Sequence, residues 1–91
     1  MLDLHYLKTF IMVVEEGGFT AAALKLGCSQ STVSFQIKAI ERELGAVLFN
    51  RHRFDKQVVL TDVGRTVYRY ARKLCALADE ARQAVKQNSQ D

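Results

Sequence analysis

The sequence predicts a mainly α-helical chain in which three short helices and a two-stranded hairpin precede one long C-terminal helix. Three observations lead there. Apolar residues recur at three- and four-residue spacing through most of the chain, the signature of helices with one buried face. Gly17, Gly27 and Gly45 stand where those periodic runs stop, as glycine does after a helix. Two β-prone runs, 47 to 49 and 58 to 60, flank a polar, basic stretch, which reads as a hairpin. A chain of 91 residues without proline, 48% hydrophobic and 25% charged, has the size and composition of one helix-rich domain with a modest core.

In order, residues 3 to 16 form the first helix, with Leu4, Leu7, Phe10, Ile11 and Val14 at helical spacing and Gly17-Gly18 as the stop. Thr20 is the expected N-cap of the short segment AAALKL, whose tandem Ala22-Ala23 leaves room for a neighbouring backbone to approach. Gly27 ends that helix, and only Cys28 separates it from Ser29, the expected cap of a third helix over residues 30 to 44. Two helices joined by so tight a turn make a helix-turn-helix. Along the third helix Val33, Ile37, Ile40 and Leu44 form a narrow core stripe. Gly45 stops it, and the hairpin that follows is a candidate wing. Thr61-Asp62 then starts the last helix, a capping residue followed by an acid that suits the positive end of the helix dipole.

That last helix runs to about residue 87, with Val63, Val67, Tyr70, Ala71, Leu74, Leu77, Ala78, Ala81 and Val85 on one face. At 1.5 Å per residue it is about 40 Å long, more than the remaining domain can cover. Packing on the same chain accounts for its first turns but not its last three. The stripe from Val67 through Tyr70, Ala71, Leu74, Leu77, Ala78 and Ala81 to Val85 is therefore expected to pair with a second copy of the chain. The polar end VKQNSQD reads as the start of a linker.

The formal charge of +3 is unevenly spread. Residues 51 to 73 hold Arg51, Arg53, Lys56, Arg65, Arg69, Arg72 and Lys73 against Asp55 and Asp62, whereas residues 1 to 24 are net acidic. Local basicity of this kind suits a polyanion, although a charge cluster is also what a solvated face looks like. There is no apolar run of membrane-spanning length and no signal-peptide pattern in MLDLHYLK, so a soluble cytoplasmic protein is expected. Cys28 and Cys75 lack a neighbouring Cys or His at ligand spacing. They read as buried or half-buried thiols, and no metal, cofactor or catalytic role is expected for them or for His5 and His52. No nucleophile, base or paired-carboxylate arrangement can be assembled, so the chain is not expected to be an enzyme.

Opposite the core stripe of the third helix lie Ser31, Ser34, Phe35, Lys38 and Arg42. On a helix whose N-terminal end enters the DNA major groove, exposed residues of the first two turns meet base edges and phosphates. Ser29, Gln30, Ser31 and Ser34 can bond either, Gln30 can pair with adenine, and Lys38 can reach guanine or phosphate. Ser29 to Thr32 could equally serve only to cap the helix. Phe35 has two open readings: contact with another protein surface, or apolar contact with a thymine methyl or a sugar. Arg51, Arg53 and Lys56 in the hairpin loop can lie along the backbone or enter a narrow minor groove. The row Arg65, Arg69, Arg72 faces away from the apolar stripe of the long helix and is read as solvated.

The run GGFTAAALKLGCSQSTVSFQIKAIERELGAVLFNR, followed by VVLTDVG, resembles the N-terminal DNA-binding domain of LysR-type transcriptional regulators over nearly the whole chain. Phe10, Phe19-Thr20, Ala22-Ala23, Leu26, Ser29-Gln30-Ser31, Val33-Ser34, Gln36-Ile37, Glu41, Leu44-Gly45, Leu48-Phe49, Arg51, Leu60-Thr61 and Gly64 fall in family order. The resemblance implies a winged helix-turn-helix over residues 1 to 60, with residues 30 to 44 as recognition helix and 46 to 60 as wing. It implies a linker helix over 61 to 87 that pairs antiparallel in a homodimer, a hinge beginning at 88 to 91, and a C-terminal effector-binding domain absent from this sequence, through which a small molecule would act. It also implies sequence-specific binding of double-stranded promoter DNA, with Thr20 and Ser29 at helix starts near the backbone, and commonly a tetramer at full length. Three departures stand out: Gly18 where the family often has Ser, Phe35 where it usually has Arg, and a loop after Arg51 about two residues longer than is common. From another class, a protein-interaction module would account for the long stripe but leaves the polar face and basic loop without a purpose.

Overall fold

A computed structural model of the chain describes residues 1–50 and 57–88. Helix α1 spans Leu4–Glu16, and Asp3 caps it by accepting from the N–H groups of His5 and Tyr6. Helix α2 spans Phe19–Leu26 and α3 spans Gln30–Leu44. Strands β1 (Phe49–Asn50) and β2 (Val59–Leu60) pair antiparallel, Phe49 opposite Leu60 and Asn50 opposite Val59. Helix α4 runs from Asp62 to Asn88, 27 residues. The fold is thus mainly α, with a helix-turn-helix and a two-stranded wing, as expected, although the strands are shorter than the β-prone runs at 47 to 49 and 58 to 60.

The first three helices enclose a core of Leu7, Phe10, Val13, Ala22, Ala23, Val33, Ile37 and Ile40, which Leu48 and Phe49 of the hairpin and Ala71 and Cys75 of α4 close. Ala22 and Ala23 are buried, so the small-residue pair serves close packing. Phe49 joins the elements. Its ring centroid lies 5.4 Å from that of Phe10 and 5.6 Å from that of Phe19, within the range where tilted aromatic pairs attract. Leu4 and Leu44 sit at exposed ends of their helices rather than in the core. On α1 it is Val13, rather than Ile11 or Val14, that is buried with Leu7 and Phe10, and Thr9 is buried as well, donating to Gln36 Oε1 of α3 at 2.6 Å and to the His5 carbonyl at 3.3 Å.

Between α2 and α3 lie three residues, Gly27 to Ser29. Gly27 adopts φ 72°, ψ 34°, the left-handed region that a side chain disfavours, and the Cys28 N–H returns to the Ala23 carbonyl at 3.0 Å. This closes α2 in a Schellman motif and frees the chain to start α3 at once. Thr20 does not cap α2. The cap position belongs to Gly18, in extended backbone, and Thr20 is the second residue of the helix.

The hairpin is fastened to the helices by backbone groups. The Val58 N–H donates to the Gly17 carbonyl at 3.2 Å, and the Thr61 N–H to the Leu48 carbonyl at 2.9 Å. The Leu48 N–H finds Glu41 Oε2 at 2.8 Å. Thr61 caps α4, accepting from the Gly64 N–H at 2.9 Å while its hydroxyl donates to the Val47 carbonyl at 2.7 Å. Gly64 is buried at this joint, and a Cβ there would stand 2.1 Å from the Leu48 carbonyl oxygen. Glycine is the residue that lets α4 dock so close.

Helix α4 has two apolar sides. Gly64, Ala71 and Cys75 are buried against the chain's own core, with Val67 and Tyr68 packed beside them. Val63, Tyr70, Leu74, Leu77 and Val85 are exposed, and every residue from Asp79 to Asn88 is exposed. Ala71, 1% accessible, therefore belongs to the core and drops out of the stripe assigned to a second copy, because its side chain is already covered. Lys8 of α1 and Asp79 of α4, 3.8 Å apart, mark where the two helices part company.

Candidate nucleic-acid interface

Helix α3 starts the site. Ser29 Oγ accepts from the Thr32 N–H at 3.1 Å and lies 3.1 Å from Ser31 Oγ and 2.9 Å from Thr32 Oγ1. A serine cap satisfies one of the N–H groups that a helix start leaves without a partner, so Ser29 does cap the helix. Capping does not consume the hydroxyl cluster, which stays exposed. Free N–H groups and the dipole at this end favour an anion such as a phosphate.

One turn further, Val33, Ile37 and Ile40 bury themselves in the core, and this fixes what the opposite side presents. Ser31, Ser34, Phe35 and Lys38 on that side, with Gln30 at the exposed head of the helix, line one open depression of about 540 Å³. All five are among the residues that the sequence offers as candidates for contact with bases and nearby phosphates. Phe35 is 59% accessible, an aromatic ring among hydrogen-bonding side chains. Thr20 of α2 comes alongside: its hydroxyl donates to Gln30 Oε1 at 3.3 Å. This link joins residues ten apart in sequence, and no local pattern announces it.

The wing assignments Arg51, Arg53 and Lys56 lie outside the described residues. The three arginines on the outer side of α4 have neighbours on or near their own helix. Arg65 pairs with Asp62 and donates to the Leu60 carbonyl, Arg69 stacks over Tyr70, and Arg72 stacks over Tyr68 and donates to its hydroxyl. Their reading as a solvated face fits this arrangement. Cys28 is exposed in the turn, not buried as expected, since it directly follows the glycine that reverses the chain; Cys75 is buried. Among the described residues no group of three or more His, Cys, Asp or Glu could hold a metal ion, and no helix is long and apolar enough to cross a membrane.

This geometry has counterparts. The model of the bacterial regulatory helix-turn-helix protein, lysR family, matches residues 4–65. The chain is 42% identical over 86 residues to the uncharacterized HTH-type transcriptional regulator YwqM of Bacillus subtilis, covering 94% of this chain and 29% of that protein. It is 44% identical over 80 residues to the HTH-type transcriptional regulator BudR of Klebsiella aerogenes, covering 88% of this chain and 54% of that one. It thus spans between about a quarter and a half of the length of these relatives. In structure it is similar to BenM_DBD in the BenM_DBD/benA site 1 DNA complex, with a TM-score of 0.89 at 38% identity over 96% of both chains. It is equally similar to the protein of the CbnR_DBD–DNA complex, TM-score 0.89 at 32% identity, covering 96% of this chain and 98% of that one.

Proposed function

The chain belongs to the lysR family of bacterial regulatory helix-turn-helix proteins, and from that premise we propose that it binds double-stranded promoter DNA sequence-specifically, as the reading head of a transcriptional regulator. The observation that carries this is the depression on α3. The buried stripe of Val33, Ile37 and Ile40 turns Ser31, Ser34, Phe35 and Lys38 outward, and Gln30, at the exposed head of the helix, completes the five residues that line it. Four of them offer the donors and acceptors that base edges and phosphates require. The likeness to two chains solved on DNA supports the same reading.

In this reading α3 enters the major groove by its N-terminal end. Gln30, Ser31, Ser34 and Lys38 meet bases and flanking phosphates, while Thr20 and Ser29 lie by the backbone. Residues 1 to 60 form the DNA-binding unit, with Arg51 and Arg53 serving the wing, and residues 61 to 87 the linker helix. The exposed side of that helix, with Tyr70, Leu74, Leu77, Ala81 and Val85 and the uncovered parts of the half-buried Val67 and Ala78, pairs with a second copy. A homodimer presents two α3 helices, so its sites are paired inverted half-sites. In the full-length regulator an effector-binding domain follows the hinge that begins at 88 to 91, a small molecule acts through it, and the protein works in the cytoplasm, commonly as a tetramer.

Selection of binding sites from a random pool of DNA duplexes tests this reading. An enriched motif with inverted half-sites supports it. Binding without enrichment, lost at physiological salt, would reduce the chain to a non-specific polycation and favour an interaction module built on the exposed stripe of α4.

A further inference from the structure

We propose that Phe35 reads the 5-methyl group of a thymine in the major groove, so that each half-site carries a thymine where an arginine at this position would select guanine. The inference rests on the DNA-binding reading above and names a base that this reading leaves open.

Three features of the site lead to it. The ring is not a displaced core residue, because the core side of α3 is already filled by Val33, Ile37 and Ile40, and Phe35 lies across the helix from them at 59% accessibility. It is ringed by Ser31, Ser34 and Lys38 and shares their depression with Gln30, so it is one apolar element inside a polar surface rather than part of an apolar patch. A protein-docking face would extend the apolar area, whereas a base-reading face needs hydrogen-bonding groups with a single apolar contact set among them. Finally, helical side chains lean back toward the N-terminus, so the ring lies over the first turn of α3, beside Ser31, at the end proposed to enter the groove.

The chemistry then chooses the base. Thymine is the base that offers a methyl group in the major groove, and phenylalanine is among the side chains that meet it. Guanine offers two acceptors there, N7 and O6. A phenyl ring has no donor for either, so seating guanine against Phe35 would strip both acceptors of water and return no hydrogen bond. Sequence choice comes from this difference, a gain at thymine together with a penalty at guanine. A phosphate is a poor occupant for the same reason, since the ring can neither donate to it nor balance its charge.

The test removes one methyl at a time. In the duplex selected by the 91-residue chain, each thymine is replaced singly by deoxyuridine, which pairs identically and lacks only the 5-methyl. One position in each half-site should lose about 3- to 5-fold in affinity, the worth of one buried methyl. In Phe35→Ala the same replacement should have no effect, with the melting temperature of the protein unchanged because the ring is outside the core. In Phe35→Arg the selected base at that position should change from thymine to guanine. An enriched motif in which no uracil matters, or in which the uracil penalty persists in Phe35→Ala, overturns this inference and leaves the DNA-binding reading standing. A chain that enriches no sequence overturns both.

Discussion

Thr20 and Gln30, one on each helix of the helix-turn-helix, are joined side chain to side chain, the threonine hydroxyl donating to the glutamine Oε1 at 3.3 Å. The bond spans the turn through Gly27 and ties the residue at the head of α3 to the helix that α3 leans on. With its oxygen held, the Gln30 amide presents its N–H₂ in a preferred direction, and a side chain fixed beforehand loses less freedom on binding. Thr20→Val keeps the shape and removes the donor. Its expected effect is a loss of operator affinity of about 2- to 12-fold, the worth of one net hydrogen bond, with stability within about 0.5 kcal/mol. Thr20→Ser should retain affinity. Equal affinities for Val and wild type in a titration would show that the bond does not position Gln30.

Lys38 is exposed on the same face and lies outside the core. Lys38→Ala should weaken DNA binding while the unfolding midpoint in denaturant stays in place. If the ammonium lies on a phosphate, the slope of log affinity against log salt should fall by about one, uniformly across sequences. A comparable loss of folding stability would reassign Lys38 to a structural role.

The exposed apolar side of α4 tests the dimer. Leu77 is 62% accessible within the chain, so Leu77→Glu should leave the fold and helix content of the monomer intact. Sedimentation should show the dimer lost. Affinity for a paired site should drop by about 100-fold, the loss expected when two linked contacts become one, while affinity for a single half-site is unchanged. A variant that still sediments as a dimer would move the interface off this stripe.

Gly64 tests the joint between the hairpin and α4. Any Cβ at this position meets the Leu48 carbonyl oxygen at 2.1 Å, and that oxygen is held in place by the Thr61 N–H. Gly64→Ala should therefore destabilise the domain by about 3 kcal/mol, the upper part of the range for overpacking, measured by urea unfolding. An unchanged midpoint would mean that α4 does not seat against Leu48.

The two thiols should separate by reactivity. Cys28 is exposed and Cys75 buried. Burial pushes the Cys75 thiol above its ordinary 9.0; Lys8 pulls against this and Asp79 adds to it. Because the thiolate is the nucleophile, alkylation followed by mass spectrometry at mildly alkaline pH should label Cys28 first and reach Cys75 only on unfolding. The sign for stability follows. The folded state holds the neutral thiol, so its contribution is complete below the ordinary value and is lost as pH rises through it and above. Equal labelling rates would contradict the burial of Cys75.

Most limits of the helices, the start of α2 excepted, and the polar face of α3 were legible in the chain because the signals are local. Ser29 and Thr61 cap with their own side chains, Gly17, Gly27 and Gly45 reverse the backbone where they stand, and a period of 3.6 turns Phe35 outward once Val33 and Ile37 turn inward. The family resemblance was legible for the same reason, as it rests on those residues in order. Tertiary structure decided what depends on neighbours distant in sequence. Helix α4 carries apolar residues on two adjoining sides, and its helical period alone cannot say which side meets the core. The seat of Gly64 beneath Leu48 sets the rotation of α4, sends Ala71 and Cys75 inward and leaves Tyr70, Leu74 and Leu77 outside. In the same way Thr20 looks like a cap by residue type. Gly18 takes the cap position in the folded chain, and the turn at Gly27 brings the threonine hydroxyl to Gln30 instead.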